Sequence, residues 1–168
     1  MSRKTCAILG LGSNLGKKSK NLCQALLYIN SFCDIQSVSS IYKTESLLKD
    51  DQDAYFNLCV SISSDMPPEE LLSTLKHIEK RMGRENSGKW YTRVIDIDII
   101  DYNNEMFESD CLTIPHPQMA NRSFVLYPIL EINPNYKHPV SCLSIDNMLK
   151  ILKDDLGIKK LGVPVWQL

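Results

Sequence analysis

One segment of the sequence, R-V-I-D-I-D-I-I at residues 93–100, restricts the fold more than any other. Apolar, β-branched residues alternate there with polar ones at period two, which predicts a β-strand. Successive side chains of a strand point to opposite faces of its sheet. The isoleucines therefore face a core, while Asp96 and Asp98 lie side by side on the other face. A fold for this chain must bury one side of this strand and leave its acidic side accessible.

The acidic pair is unfavourable unless something compensates it. Asp is disfavoured in strands, and two neighbouring carboxylates repel each other. A hard divalent cation removes that repulsion, and Mg²⁺ is usually held by one or two carboxylates together with substrate phosphates. The alternative is a half-exposed strand whose polar face happens to be acidic, which a D-x-D pattern alone does not exclude.

Composition narrows the class of protein. We expect the 168 residues to form one domain over residues 1–168. The net charge of −1 and the pI near 6.3 give no electrostatic argument for binding nucleic acid or an anionic membrane. No apolar stretch has the length of a membrane span. The six cysteines form no C-x-x-C pair, and no signal peptide is evident, so we expect reduced thiols and a cytoplasmic protein.

Hydrophobic periodicity predicts the remaining elements. They are, in order, strand 5–11, helix 21–32, strand 35–42, strand 55–63, a helix that starts at 66–70 and ends at Gly83, the acidic strand, helix 119–130 and helix 145–152. The order β-α-β-β-α-β followed by helices is typical of an α+β, ferredoxin-like fold. Such a fold has a largely antiparallel sheet with helices on its faces, and here it carries extra C-terminal helices.

A glycine-rich segment follows the first predicted strand. Residues 10–16, G-L-G-S-N-L-G, resemble two phosphate-binding motifs, but their spacing matches neither a P-loop nor a dinucleotide fingerprint. The segment is also consistent with a tight strand-to-helix turn in which Ser13 or Asn14 caps the helix, and we favour that interpretation.

Several short motifs occur in a fixed order along the chain. They are L-G-S-N-L at 11–15, Y-K-T at 42–44, Y-F-N at 55–57, R-x-x-D-I-D-I at 93–99, L-T-I-P-H-P at 112–117 and N-R-x-F-V-L at 121–126. Together they resemble the 6-hydroxymethyl-7,8-dihydropterin pyrophosphokinases of folate biosynthesis, over residues 7–134. The resemblance implies transfer of a pyrophosphoryl group from ATP to the pterin hydroxymethyl oxygen, leaving AMP. It further implies two Mg²⁺ ions that bridge the ATP phosphates and are held by Asp96 and Asp98.

The resemblance also assigns roles to individual residues. The catalytic set it implies is Arg84, Arg93, Asp96 and Asp98. The residues it implies for ATP are Glu79, Arg84, Trp90, Ile99, His116 and Arg122. The residues it implies for the pterin are Thr44, Tyr55, Asn57, Asp96 and Phe124. These residue types suit the chemistry, because phosphoryl transfer needs positioning and charge neutralisation, and a flat heterocycle needs aromatic faces and amide partners.

Most of these residues have another interpretation from the pattern alone. Loop arginines are often only solvated, a histidine before proline is often structural, and an acid on a helix often faces water. These alternatives apply to Arg84, Arg93, His116 and Glu79. Phe124 lies in an apolar helix and fits a core position equally well. Tyr55 fits a surface position at the end of a strand, and Trp90 fits a surface anchor.

The chain departs from the family pattern at a few positions. Tyr91 and Thr92 stand where the family usually has Gly-Pro, which changes the backbone angles open to this loop. Cys111 replaces a common basic residue. We expect residues 84–92 to form a lid that closes over the phosphates with Trp90 as its anchor.

Two other classes of function remain open from the residues alone. Metal-dependent sugar transferases also use D-x-D, although they are usually longer and built on nucleotide-binding α/β domains. A ferredoxin-like regulatory or RNA-binding module is the non-enzyme alternative, and the absence of an RRM-type aromatic signature argues against RNA. We therefore expect small-molecule substrates, no nucleic acid or membrane partner, and a monomer.

Overall fold

The computed structural model of the chain describes residues 5–45, 53–84, 93–153 and 157–166. Within these residues the strands are β1 Thr5–Ser13, β2 Asp34–Val38, β3 Ile41–Thr44, β4 Tyr55–Ser64, β5 Asp96–Tyr102, β6 Phe107–Glu108, β7 Thr113–Ile114 and β8 Lys159–Gly162. The α-helices are α1 Lys18–Asn30, α2 Pro68–Arg81, α3 Ser123–Ile132 and α4 Ile145–Ile151, and a short 3₁₀ helix spans Met119–Asn121.

The main sheet has the strand order β5-β1-β4-β3-β8, and β2 also pairs with β4. Every pairing among these strands is antiparallel. Strands β6 and β7 form a separate two-stranded hairpin. The predicted α+β fold with a ferredoxin-like β-α-β-β-α-β order and a largely antiparallel sheet is confirmed.

Helices cover both faces of the sheet. Strand positions of one parity pack under α1 and α2 in a core that includes Leu9, Leu58 and Ile97. Positions of the other parity, such as Ile8 and Cys59, pack under α3 and α4 in a second core. The acidic side chains of β5 lie on the α3 side, because they alternate with the isoleucines of the first core.

The single strand predicted over residues 35–42 is wrong, because Ser39 and Ser40 divide it into β2 and β3. Both pieces pair with β4, where Val38 lies opposite Val60 and Tyr42 lies opposite Asn57. Between these two pairs, the segment that joins β2 to β3 has one residue more than the facing part of β4, which is the geometry of a β-bulge. The Ser39 hydroxyl accepts a hydrogen bond from the Cys59 N–H at 3.0 Å. Sequence periodicity does not detect such an insertion.

The predicted capping of the first helix by Ser13 or Asn14 is also wrong. Strand β1 continues through Ser13, and α1 begins at Lys18 with Lys17 as its N-cap and no capping side chain. Gly16 provides the left-handed backbone of the turn, with φ of 63°. The Asn14 side-chain oxygen instead accepts a hydrogen bond from the Arg93 N–H at 2.6 Å, which fastens the chain entering β5 to the end of β1.

Two elements near the C-terminal end differ from the prediction. The helix expected over 119–130 is interrupted at Arg122, whose backbone is extended with φ of −129° and ψ of 109°. Apolar periodicity runs through both pieces, so it does not reveal the break. The segment Lys159–Gly162 forms strand β8 on β3, although its sequence shows no alternation.

The C-terminal tail contributes to the first core through Trp166, which is 8% exposed. Replacing Trp166 by Ala should lower the free energy of unfolding by about 3–5 kcal/mol, because a buried indole is removed and a cavity is left. Urea denaturation followed by circular dichroism measures this. The matched control is Val165→Ala, since Val165 is 81% exposed and its loss should change stability by less than about 0.5 kcal/mol. Equal effects of the two substitutions would contradict the packing described here.

Candidate active site

The acidic pair lies where the alternation of β5 predicts it. Ile95, Ile97 and Ile99 are at most 2% exposed in the first core. The side chains of Asp96 and Asp98 are 22% and 35% exposed on the opposite face. Two carboxylates are thus presented on one face of a rigid strand, next to each other and open to solvent.

Two arginines bind one carboxylate of the pair. Arg84 Nη1 lies 2.6 Å from Asp96 Oδ1, and Arg93 Nη1 lies 2.6 Å from Asp96 Oδ2. Burial alone raises the pKa of Asp96, but Arg93 and Arg84 outweigh it and hold that pKa below its usual range. The structure therefore brings together three of the residues predicted to be catalytic, and it keeps Asp96 ionised.

Asp98 lies in a different electrostatic environment. Burial raises its pKa, and the neighbouring charge of Asp96 raises it further. Lys76, His116 and Arg122 oppose that rise, but the nearest of the ion pairs, Lys76 Nζ to Asp98 Oδ1, is 3.8 Å long. A further positive charge beside Asp98 would be favourable, because its ionised form is only partly compensated.

Glu79 of α2 holds strand β5 and the side chain of Arg84 in place. Its side chain is 3% exposed, and Oε1 accepts hydrogen bonds from the Ile97 N–H at 2.6 Å and from Lys76 Nζ at 2.9 Å. Arg84 Nη1 contacts the other oxygen, Oε2. Burial raises the pKa of Glu79, while Lys76, the Ile97 N–H and Arg84 oppose that rise. The structure thus shows Glu79 as an anchor of β5 and Arg84, while its predicted contact with ATP stays a prediction.

The residues expected to bind the pterin lie in rows that cross the sheet on the same face. Asp96 is paired with Gly12, Gly12 with Asn57, and Asn57 with Tyr42. Asn57 Nδ2 donates to Thr44 Oγ1 at 3.1 Å, and both side chains are buried. The amide of Asn57 is thereby held in one orientation, across Gly12 from Asp96.

The two predicted stacking residues are both half-buried. Tyr55 lies opposite Thr44 at the end of β4. Its pKa is raised by burial and further by Asp96, while Arg93 lowers it, so this side chain is close enough to feel the charged end of the site. Phe124 packs against the second core from α3, and the Arg122 guanidinium lies over its ring at 5.7 Å from the centroid.

The other residues expected to bind ATP are placed unevenly. His116 Nδ1 accepts a hydrogen bond from the Gln118 N–H at 3.1 Å, so in the neutral ring Nε2 carries the proton. Burial lowers the pKa of His116, which favours that neutral form. The Ile99 side chain lies in the first core and does not reach the acidic face, so it touches a nucleotide there only through its main chain. Trp90 and most of the predicted lid, residues 85–92, lie outside the described residues.

Comparison with known proteins decides the family. The family model for 7,8-dihydro-6-hydroxymethylpterin-pyrophosphokinase matches residues 8–134. The chain belongs to this family. The predicted family is thereby confirmed, and with it the predicted enzyme class, a diphosphotransferase of folate biosynthesis that acts on a hydroxymethylpterin. The sugar transferase and the regulatory or RNA-binding module are set aside.

Curated relatives of this pyrophosphokinase family cover most of the chain. The 2-amino-4-hydroxy-6-hydroxymethyldihydropteridine pyrophosphokinase of Haemophilus influenzae is 37% identical over 155 residues, which are 91% of this chain and 96% of the relative. The enzyme of the same name from Aquifex aeolicus is 36% identical and covers 79% of this chain and 82% of its own length. A folic acid synthesis protein of Dictyostelium discoideum is 40% identical over 93% of this chain, but the chain spans only 24% of that protein.

Solved structures agree on the fold of this pyrophosphokinase. Wild-type HPPK-DHPS of Plasmodium falciparum superposes with a TM-score of 0.71 at 16% identity, over 90% of this chain and 45% of that one. At this identity the likeness concerns the fold alone. In the part of the chain that the structure describes, the helices are too short or too polar to cross a membrane.

Sequence reasoning missed two features of the site. Gly10 and Gly12 lie on the acidic face, where an added Cβ at Gly12 would come within 3.0 Å of Asn57 Oδ1, and one at Gly10 within 3.1 Å of Ile100 Cδ1. Their spacing of two residues inside a strand was the available signal. Lys76 was also missed, although it is three residues before Glu79 on α2 and contacts both Glu79 and Asp98.

Glu79→Ala should test the anchor. The substitution leaves the Ile97 N–H, Lys76 and Arg84 without their shared acceptor, so the free energy of unfolding should fall by about 2–3 kcal/mol. Urea denaturation measures this, and Glu70→Ala, at an exposed position of the same helix, is the control. If Glu79→Ala changes stability no more than Glu70→Ala does, the carboxylate does not anchor β5.

Proposed function

We propose that this pyrophosphokinase takes the pyrophosphoryl group from ATP and delivers it to the hydroxymethyl oxygen of 6-hydroxymethyl-7,8-dihydropterin, using two Mg²⁺ ions at Asp96 and Asp98. The observation that carries the proposal is the row on the sheet face in which Asp96, clasped by Arg84 and Arg93, lies across Gly12 from the fixed amide of Asn57. Charge-handling and heterocycle-recognising groups thus meet on one surface.

The donor set fits magnesium that arrives with a nucleotide. Asp96 and Asp98 offer two carboxylates from one strand face, and the described residues contain no cluster of three or more His, Cys, Asp and Glu side chains that would cage a metal alone. Mg²⁺ usually keeps several waters and takes its remaining ligands from substrate phosphates. When bound, such ions neutralise the charge that builds on the phosphate oxygens.

The bond changes in the proposed reaction are simple. The pterin hydroxymethyl oxygen forms a bond to the β-phosphorus of ATP, and the bond from that phosphorus to the oxygen bridging the α-phosphate breaks. AMP leaves, and the hydroxyl proton is released to solvent. No covalent bond to the protein forms, so the chain's own contribution is to position the two substrates and to neutralise charge.

Arg84 and Arg93 supply that neutralisation. Both are held at Asp96 by contacts of 2.6 Å. A cation held by Asp96 would compete with these two contacts, and both guanidinium groups would then be able to donate to phosphate oxygens, for which their planar geometry is well suited. Arg122, with its guanidinium charge, and His116, with the Nε2–H of its neutral ring, lie near Asp98 and complete a set of phosphate donors.

The pterin half of the site consists of Thr44, Tyr55, Asn57 and Phe124. Asn57 offers an amide whose orientation is fixed by its bond to Thr44. Tyr55 and Phe124 offer half-buried aromatic faces to a flat ring. This division assigns recognition of the heterocycle to β3, β4 and α3, and recognition of the phosphates to β5 and the residues around it.

We place the enzyme in the cytoplasm as a monomer. All six cysteines are free thiols, two of them buried, which suits a reducing compartment. Its proposed substrates are small molecules, and the net charge of −1 supplies no field that would favour nucleic acid.

Asp96→Asn and Asp98→Asn should each lower kcat and kcat/KM together, by roughly a hundredfold or more, because charge neutralisation in the transition state is lost. AMP formation dependent on the dihydropterin, ATP and Mg²⁺ measures this. Asp110→Asn, at an exposed position outside the site, is the matched control and should retain full activity. Wild-type turnover in either folded site variant would rule out the metal assignment.

Phe124→Ala and Tyr55→Ala should weaken binding of the pterin much more than binding of ATP. Stacking contributes roughly 0.5–1.5 kcal/mol beyond the area buried, which is about a two- to tenfold change in affinity. Calorimetry with each ligand separately measures the effect, and Asn57→Ala should act on the same side. Phe124→Leu controls for packing, because it retains apolar contact with the second core and removes the aromatic face. Equal losses for both ligands would show that these side chains only stabilise the fold.

A further inference from the structure

The carboxylate of Glu131, near the C-terminal end of α3, gathers donors from three separate segments. It accepts hydrogen bonds from the Ser40 N–H at 3.1 Å, from Ser40 Oγ at 2.9 Å and from Tyr42 Oη at 2.9 Å. Lys160 Nζ of strand β8 lies 3.3 Å from Glu131 Oε1. One side chain therefore joins α3 to the bulge between β2 and β3, to β3 itself and to the C-terminal strand.

These contacts are well fixed. Ser40 and Tyr42 are 1% and 7% exposed, so their donors are held by the sheet and not by flexible surface side chains. Burial raises the pKa of Glu131, but the bonds from Ser40, Tyr42 and Lys160 outweigh it and lower that pKa. Glu131 is thus ionised at neutral pH and holds its partners through charge-assisted hydrogen bonds.

The cluster adjoins the pterin half of the site through two routes. Tyr42 lies directly opposite Asn57 in the β3–β4 ladder, where the Cβ atoms of facing residues are about 5 Å apart. The Tyr42 ring also stacks on Tyr127 of α3, with centroids 6.4 Å apart and planes 20° from parallel. Phe124, Tyr127 and Glu131 are spaced by three and four residues, so they lie along one stripe of α3.

We infer that Glu131 is a positioning residue for the pterin half of the site, and that β8 takes part in this positioning through Lys160. The inference rests on the proposed function, because it assumes that the pterin binds among Tyr55, Asn57 and Phe124. Glu131 is not among the residues proposed to contact either substrate. It sets the height and tilt of α3 over the sheet, and thereby the gap between Phe124 and the side chains of β4.

A small tilt of α3 at Glu131 is enough to displace Phe124 appreciably. Glu131 lies seven positions after Phe124, which is about 10 Å along the helix. A tilt of about 5° at the Glu131 end therefore displaces Phe124 by about 1 Å, a shift that is large for a stacked ligand. The family model ends at residue 134, so β8 lies outside the matched region. The tail of this chain thus supports a site built from the family's own elements.

The test is calorimetry on Glu131→Ala. A non-hydrolysable ATP analogue with Mg²⁺ is titrated first, and 6-hydroxymethyl-7,8-dihydropterin is then titrated into that complex. We expect pterin affinity to fall about tenfold and nucleotide affinity to fall much less, about twofold, because Arg84, Arg93 and the acidic pair do not depend on α3 and only Arg122, at its N-cap, moves with it. Glu131→Gln keeps an acceptor of the same length and should recover part of the loss. If Glu131→Ala does not fold, the pterin and nucleotide affinities of Glu131→Gln test the inference in its place.

The contribution of β8 is tested by Lys160→Ala, for which we expect a loss of pterin affinity of about threefold. Lys159→Ala is the matched control, since Lys159 is the neighbouring residue of the same strand with its side chain on the opposite face. A double-mutant cycle that combines Glu131→Ala with Tyr42→Phe completes the experiment. If Glu131 acts through Tyr42, the losses of the two single variants will not add.

Two outcomes would overturn the inference. Equal losses of pterin and nucleotide affinity in Glu131→Gln would show a general structural role. Unchanged pterin affinity in both Glu131 variants would show a surface cluster without influence on the site. Failure of the wild-type protein to bind the pterin would overturn the proposed function instead, so the two failures are distinguishable.

Discussion

The contact of the buried Glu79 carboxylate with the backbone of β5 is the interaction on which the site depends most. Among the strands of the described residues, β5 is the edge of the sheet, so the outward-facing N–H and C=O of Ile97 find no strand partner there. Glu79 accepts from that N–H, and Lys76 donates to that C=O at 3.2 Å. Side chains of helix α2 thus satisfy the backbone groups at this edge of the sheet. Because Glu79 also holds Arg84, the element that fixes the acidic strand fixes one of its arginines as well.

The surface beside the acidic strand is shaped by the neighbouring strand β1. Gly10 and Gly12 of β1 lie between the acidic strand and β4, on the face that α3 only partly covers. Gly12, without a side chain, leaves room between Asp96 and the amide of Asn57, whereas the Ile100 side chain packs against Gly10. The glycine-rich segment resembles a phosphate loop, but what it contributes here is a stretch of β1 without bulky side chains beside the acidic strand.

Period-two and helical patterns predicted the antiparallel sheet, the helices and the facing of Asp96 and Asp98, because burial on one side of each element is recorded in the sequence itself. They did not predict the bulge at Ser39, the break at Arg122 or the pairing of β8. Each of these depends on how two segments distant in sequence fit together, as when the Ser39 hydroxyl receives the Cys59 N–H. The family resemblance supplied candidate site residues, but not the environment of Glu79, whose carboxylate turns inward to backbone and basic partners. An acid on an amphipathic helix looks the same in sequence whether it faces water or closes a strand edge.

The two carboxylates of the acidic strand are chemically alike, but neighbouring charges compensate them to different degrees. Asp96 is already neutralised by two guanidinium groups, whereas Asp98 has a single ammonium at 3.8 Å and a neighbouring negative charge. In the proposed function, a divalent cation held here would be compensated mainly by Asp98, and it would weaken the attraction of Asp96 for the two arginines. Arg84 and Arg93 would then be available to donate to phosphate oxygens of the nucleotide. The ion pairs of Asp96 thus hold two guanidinium groups beside the proposed cation site, where both would be close to a bound polyphosphate.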